Sequence, residues 1–529
     1  MTAASSPDSQ PPRLSLQQNE AKDLTPGDHD VPPFHLGGQD MYAVSPDGQE
    51  LAYTSNIDEV EATSTNADIF VVPINRPADP VEAGVSPASS PDSQPARLPL
   101  QKNGNPPRKI STSPGADTTP LYSPDGKYLA WRSQARGGFE ADKWRLMLQE
   151  RKSGQSRDVT DKFERSVGSL AWRTDSQTIF FTAEDHGENP IYALSLPDNR
   201  VSEVLRLHAD DLAPTKDAVF FSRMSISVPN EIARFDLEEY DNASGHGQDV
   251  VSGKAVTHIN EALLSQIDMQ PLEPFTFKGA NDEEVQGFMV KPPGFDRNKK
   301  YPLKFLIHGG PQGAWGNSWT YRWNAELFAA NGYAVVMINF HGSTGYGQKF
   351  CDSISGDWGG EPYVDLMKGL DYVEKTYPFI DQSREAALGA SYGGYMANWL
   401  LGHTNRFKCF VSHDGIFNLE ASFGTTEELW FPNWEFKGPP WKNRELYRKF
   451  SPHQYAQNFK TPTLVVHGQL DYRLDVSNGF DLFTTLQTLK VPSKMLYFPD
   501  EGHWVLKPQN SRLWYKTVND WVDQWCAKK

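Results

Sequence analysis

Over residues 1 to about 262 the apolar positions come in short alternating runs separated by polar turns. Ser45-Pro46-Asp47-Gly48 precedes Leu51-Ala52-Tyr53, and Ser123-Pro124-Asp125-Gly126 precedes Leu129-Ala130-Trp131. Degenerate copies follow: Arg173-Thr174-Asp175-Ser176 before Ile179-Phe180-Phe181, and Lys216-Asp217 before Val219-Phe220-Phe221. Pro and Gly set a tight turn, and the period-two run behind it is a half-buried strand. A second strand is predicted after each copy, at 68–74, 144–150, 191–196 and 232–237. From the second copy onward the period is roughly 40–50 residues, the spacing of four-stranded propeller blades. A β-sandwich with similar turns is the weaker alternative. Asp47 and Asp125 lie 78 residues apart, room for an extra blade or an insertion. The expectation is an all-β propeller-type domain over 1–262 with four to five blades, an incomplete ring whose chain starts inside it. Within the long gap, Ser89 to Pro95 repeats Ser5 to Pro11 residue for residue. Both copies read as loops, and the repeat is a local duplication or an artefact of the gene model rather than a functional motif.

From about residue 272 the pattern changes to strand-like runs alternating with helices, which predicts a mostly parallel α/β sheet. Strands are expected at 303–307, 334–338, 386–388, 410–412, 463–466 and 495–498, and helices at 322–330, 364–376, 392–401 and 511–526. Residues 262–300 read as a connector and the first antiparallel strands, so the second domain is placed at 263–529.

The candidate chemistry sits in this second half. Gly389-Ala390-Ser391-Tyr392-Gly393 matches G-x-S-x-G, a weak pattern alone, but here it has a predicted strand before it and a helix after it. That strand-to-helix elbow presents a serine hydroxyl at the sheet edge. A serine needs a base at neutral pH. The chain order Ser, Asp, His is met by Asp471, after the strand at 463–466, and His503, after the strand at 495–498. Both loops follow the carboxyl ends of strands, where an open α/β sheet gathers its site. Ser391 is therefore the expected nucleophile, His503 the general base and Asp471 the group that orients it. Singly, Asp471 reads equally well as a turn residue and His503 as a surface loop histidine. His467 is the nearest competitor for the base, but it belongs to a strand end and is expected to pack beside Asp471. For the oxyanion, one donor is the Tyr392 N–H; the second is assigned to Gly310 N–H in His308-Gly309-Gly310-Pro311, with Gly309 in reserve.

Composition narrows the partners. The chain has 529 residues, 38% hydrophobic, with net charge −16. That sign repels phosphate backbones and anionic lipid surfaces, so neither nucleic acid nor membrane is expected. No run of 18 apolar residues exists for a membrane span, and the first thirty residues lack the basic start and apolar core of a secretory signal. Cys351, Cys409 and Cys526 form no C-x-x-C pair, so no metal site is expected. One disulfide or three thiols are both compatible with the sequence.

The Ser-Pro-Asp-Gly repeats, His308-Gly309-Gly310-Pro311, Gly342-Ser343-Thr344-Gly345-Tyr346-Gly347, Ser391-Tyr392-Gly393-Gly394-Tyr395, His467-Gly468 with Asp471 and Arg473, and Gly502-His503 together resemble the prolyl oligopeptidase family of serine peptidases. Within it, the chain is most similar to the branch of acylaminoacyl-peptidases and dipeptidyl-peptidase V. The resemblance implies a propeller over an α/β-hydrolase domain, a site between them open to short peptides, and no metal or cofactor. It also implies release of dipeptides from a free N-terminus, with a blocked N-terminus or a small ester as the rival substrates and an inactive propeller interaction protein as the rival of another class. Secretion is implied by the same resemblance; without a signal, a cytoplasmic location is the alternative. The oligomeric state is not legible. Many members carry Arg before the Gly-Ser of the glycine-rich segment, where this chain has His341. Substrate-binding residues are not assigned; Glu427, Glu428, Trp430, Phe431, Trp434 and Trp441 are candidates that read more readily as a solvated face with packing aromatics.

Overall fold

The computed structural model describes residues 24–25, 31, 40–74, 107–245 and 251–527. The Ser5 and Ser89 repeats lie outside them. Four four-stranded antiparallel sheets follow one another along the first half, each built of strands consecutive in sequence. The first is Tyr42–Val44, Glu50–Asn56, Ala67–Pro73 and Arg108–Lys109; the second Asp117–Tyr122, Tyr128–Ser133, Arg145–Glu150 and Ser156–Asp158. The third runs from Leu170–Trp172 to Arg200–Leu205, and the fourth from His208–Pro214 to Lys254–Ala255. The long first gap falls between Ala67–Pro73 and Arg108–Lys109, which pair directly. The additional length is thus an insertion inside one blade, not a fifth blade among the described residues.

The repeated turn has a clear physical cause. The Ser123 hydroxyl donates to Asp125 Oδ1 at 2.7 Å and accepts from Tyr128 N–H at 2.9 Å, while Gly126 adopts φ 69°. Ser45, Asp47, Glu50 and Gly48 repeat this in the first blade. In the degenerate third copy Ser176 takes the positive φ, and its Oγ accepts from Asp125 N–H of the preceding blade at 3.0 Å. Each blade buries one face on the next: Ile69 and Val71 against Leu129 and Trp131, then Leu146 and Leu148 against Ile179 and Phe181, then Phe180 and Ile191 against Val219 and Phe235.

The second half holds an eight-stranded sheet in the order Glu273–Lys278, Glu284–Val290, Ala334–Asn339, Tyr301–Ile307, Ile380–Ala390, Cys409–His413, Thr463–Gly468, Ser493–Phe498. The first two strands are antiparallel to their neighbours and the others parallel. The central strands are buried on both faces with period two. Leu303, Phe305 and Ile307 enter one core, while Leu306 enters the other. The expected helix at 322–330 is only Ala325–Ala329, because Asn324 caps it by accepting from Leu327 N–H. Helices Leu419–Phe423, Trp430–Glu435, Pro440–Phe450 and Ser477–Thr488 were not expected from the sequence. The first two, of five and six residues, are too short to show a helical period of their own.

The blades dock on the carboxyl-end loops of the sheet. Arg136 pairs with Asp142 and, through both terminal nitrogens, with Asp352 at 2.7 and 3.0 Å. Phe139 stacks on Trp434 with centroids 4.5 Å apart. Asn317 accepts from Ile226 N–H at 2.9 Å and donates from Nδ2 to Glu188 at 2.9 Å. His341 is buried between Asp365 at 2.6 Å and Glu283 at 3.3 Å. No helix among the described residues is long and apolar enough to cross a membrane.

Candidate active site

Ser391 stands between the strand Ile380–Ala390 and the helix Tyr392–His403 at φ 59°, ψ −122°. Its N–H is tied to His413 O at 2.9 Å and its carbonyl accepts from Tyr395 N–H at 2.9 Å. The flanking glycines are steric requirements: a Cβ on Gly389 would lie 2.2 Å from Gly393 O, and one on Gly393 2.2 Å from Ile307 O. A strained serine held by its neighbours is a common feature of functional sites.

The loops after the last two strands bring Asp471 and His503 together. His503 Nδ1 lies 2.8 Å from Asp471 Oδ2, and Asp471 Oδ1 accepts from the N–H groups of Arg473 and Leu474 at 3.0 and 2.8 Å. Burial opposes ionisation of Asp471. The His503 hydrogen bond and charge, the Leu474 N–H and the field of His467 outweigh it and hold the carboxyl below its usual value. His467 is wholly buried, and its Nε2–H donates to Leu474 O at 2.7 Å. It props the Asp471 loop and faces away from the cleft that His503 and Ser391 share.

The oxyanion candidates sit beside Ser391. Tyr392 is the first residue of its helix, so its N–H has no intrahelical partner. A Cβ on Gly309 would fall 3.2 Å from Ser391 Cβ. Gly309 O lies 2.8 Å from His308 Nδ1, and His308 Nε2 lies 2.9 Å from the Ser343 hydroxyl. Burial pushes His308 down to about 4, so it is neutral, with Nδ1 donating to the carbonyl and Nε2 accepting from Ser343. In a trans peptide the N–H points opposite to the C=O. Anchoring Gly309 O therefore turns Gly310 N–H the other way.

Ser391, Tyr392, Gly310 and His503 line one cleft of about 490 Å³ between blades and sheet. Its far wall carries two acids. Glu140 comes from the second-blade turn, held by Gln134 Nε2 donating to Glu140 O at 2.7 Å. Protein surrounds it while its carboxylate stays accessible, and burial raises its pKa against the field of Arg473. Glu428 pairs with Arg473 at 2.5 Å, and burial, with the Glu140 charge added, pushes it up to about 7. Of the aromatic stretch, Phe431 lines the cleft, Trp434 serves the blade contact, and Trp441 is exposed. Glu427 stays outside the cleft lining.

One residue that the sequence reading did not single out is Asp414, directly after the strand Cys409–His413. Its carboxylate is 4.0 Å from His503 Nδ1 and wholly buried. Asp414, Asp471 and His503 form the one His/acid cluster among the described residues compact enough for a metal ion. The Asp471–His503 hydrogen bond already occupies two of the atoms an ion would need. Glu140 was missed as well, because nothing in a blade turn marks it as a site residue.

Residues 319–529 match the prolyl oligopeptidase family model. Dipeptidyl-peptidase 5 of Porphyromonas gingivalis is 34% identical over 517 residues, spanning 96% of this chain and 70% of that protein. Dipeptidyl-peptidase 5 of Schizosaccharomyces pombe is 36% identical over 426 residues, 78% of this chain and 60% of that protein. The chain thus spans 60 to 70% of the length of these two relatives. An acylaminoacyl peptidase of Pyrococcus horikoshii has the same fold with a TM-score of 0.74 at 21% identity, covering 92% of this chain and 71% of that one. A puromycin-hydrolyzing peptidase of Mycobacterium tuberculosis aligns with a TM-score of 0.69 at 17% identity, covering 96% and 71%. With a four-blade array over an α/β-hydrolase sheet and a 34% identical relative covered over 70% of its length, this chain is a member of the prolyl oligopeptidase family.

Proposed function

We propose that the protein is a serine exopeptidase that releases dipeptides from the free N-terminus of short peptides. The observation that carries this reading is one cleft holding the elbow serine, the imidazole–carboxylate pair and, on its far wall, Glu140 from a blade beside Glu428 and Arg473 from the hydrolase loops. Ser391 Oγ attacks the carbonyl carbon of the second residue while His503 Nε2 takes its proton. Tyr392 N–H and Gly310 N–H stabilise the oxyanion. His503 then protonates the leaving amine, and water, activated by the same imidazole, hydrolyses the acyl-enzyme. Glu140, Glu428 and Arg473 sum to one negative charge when ionised, which suits a substrate ammonium and has nothing to pair with on a blocked N-terminus.

The test compares a dipeptidyl-alanine chromogenic amide with its N-acetylated twin on wild type and Ser391→Ala. Turnover of the free amine that disappears in Ser391→Ala is the expected result. Preference for the acetylated twin would make the protein an acylaminoacyl-peptidase. Equal rates in wild type and Ser391→Ala would remove the assignment of the nucleophile.

A further inference from the structure

Asp414 is placed with unusual cost. It is a non-glycine residue at φ 48°, fixed by its N–H bond to Val466 O at 2.9 Å. Its side chain is wholly buried, and neither carboxylate oxygen reaches a hydrogen-bond partner of good geometry. Gly468 N–H offers only a weak backbone contact. Four titratable groups face it. His413 Nε2 is 2.9 Å away but misaligned for a hydrogen bond, and His467 Nε2, 3.9 Å away, already donates its N–H to Leu474 O. His503 Nδ1 is 4.0 Å away, and the Asp471 charge adds repulsion. Arg322 acts at one remove, on His413. Burying a carboxylate without partners opposes folding, so a purely structural role gives no reason to keep it.

We infer that Asp414 is a second positioning carboxylate for the His503 imidazole, standing beside Asp471 at the Nδ1 edge and stabilising the imidazolium once His503 holds the serine proton. This rests on the proposed roles of Ser391 and His503. Asp471 supplies the hydrogen bond that fixes the tautomer. Asp414 supplies field without a bond, from a site that water does not screen.

The experiment is a kcat and KM profile of Asp414→Asn over about pH 5 to 9, on the free dipeptidyl amide, with the Tm measured alongside. The expected kcat falls about tenfold with KM unchanged, far less than the roughly 10⁴-fold that losing the bonded carboxylate costs a serine triad. With less negative charge beside the imidazolium, the acid limb of kcat/KM moves to lower pH by about one unit. Tm rises, since an unpartnered buried charge is gone. An unmoved acid limb, whether kcat is unchanged or falls together with KM, would overturn the inference. If Asp414→Asn does not fold, Asp414→Ser is read by the same limb. Activity surviving in Ser391→Ala would instead sink the underlying assignment of the nucleophile and leave the limb shift without a catalyst to report on.

Discussion

Replacing Glu140 by Gln tests the ammonium site with almost no change of shape. In the cleft, Glu428 is already paired with Arg473 at 2.5 Å, so Glu140 carries the uncompensated charge. Two unit charges 4 Å apart at an effective dielectric near 20 attract by about 4 kcal/mol. Desolvating both partners takes back a large part, and hydrogen bonds to charged groups net about 1.5–3 kcal/mol. That is roughly a 10- to 150-fold change in an equilibrium constant. The expected result for Glu140→Gln is a fall of about 10- to 100-fold in kcat/KM for a free dipeptidyl chromogenic amide, mostly in KM. The N-acetylated twin should change by less than about twofold, because it has no charge for Glu140 to hold. The acids also set a pH dependence. Burial raises Glu140 and brings Glu428 to about 7. Both must be ionised to bind an ammonium, so KM for the free amine should rise as pH falls through that region, while KM for the twin stays flat. An equal loss on both substrates would show that the substitution disturbs the shape of the cleft rather than its charge, and no loss on the free amine would place the ammonium elsewhere.

Three further outcomes are expected. His308→Ala removes the donor that anchors Gly309 O at 2.8 Å and frees Gly310 N–H to rotate; kcat should fall about 10²-fold with KM nearly unchanged, as for the loss of one oxyanion donor, measured by steady-state kinetics with an active-site probe confirming that Ser391 is still present. Gly389→Ala drives a Cβ to 2.2 Å from Gly393 O; covalent labelling of the serine should be lost and Tm lowered, as read by a fluorescent serine probe and calorimetry. Lys304 is wholly buried and held by Phe328 O, Asn331 and Asn519, without a carboxylate in contact; burial lowers its pKa to about 7. Between that value and the unfolded lysine range near 10 the unfolded chain binds the additional proton, so wild-type stability should rise with pH there. Lys304→Met should flatten that rise in a denaturant series, and an identical slope would contradict it.

Much of the architecture follows from local pattern. The Ser-Pro-Asp-Gly turns are legible because their hydrogen bonds lie within five residues, Ser123 to Tyr128 being the type example. The parallel strands are legible because burial on both faces makes apolar runs. Strand ends then point to Asp471 and His503. The same rule points to Asp414, after the predicted strand at 410–412 and equally between Ser391 and His503 in chain order. Sequence cannot rank the two acids; what ranks them is that one lies 2.8 Å and the other 4.0 Å from the same Nδ1.

Glu140 was beyond the reach of such rules for a different reason. It meets Ser391 only through the way a blade seats on the sheet, and that seat consists of Arg136 clamped between Asp142 and Asp352 and of Phe139 stacked on Trp434. Asp142 also accepts from Ala135 and Arg136 N–H groups, so one short turn carries both the seat and the acid. In the proposed function, selectivity between free and blocked N-termini therefore depends on docking in a way that the serine chemistry does not. The Arg136–Asp352 pair is about one-third exposed on each side, so its loss in Arg136→Met should cost about 1 kcal/mol, and loss of the bond to buried Asp142, which keeps the Ala135 and Arg136 N–H groups, a further roughly 1.5–3 kcal/mol. The substitution should erode the preference for the free amine over its acetylated twin while labelling of Ser391 by a small serine probe stays unchanged. A variant that loses probe labelling and substrate preference in parallel would mean that the blades hold the catalytic loops themselves, not just the wall that faces the substrate's N-terminus.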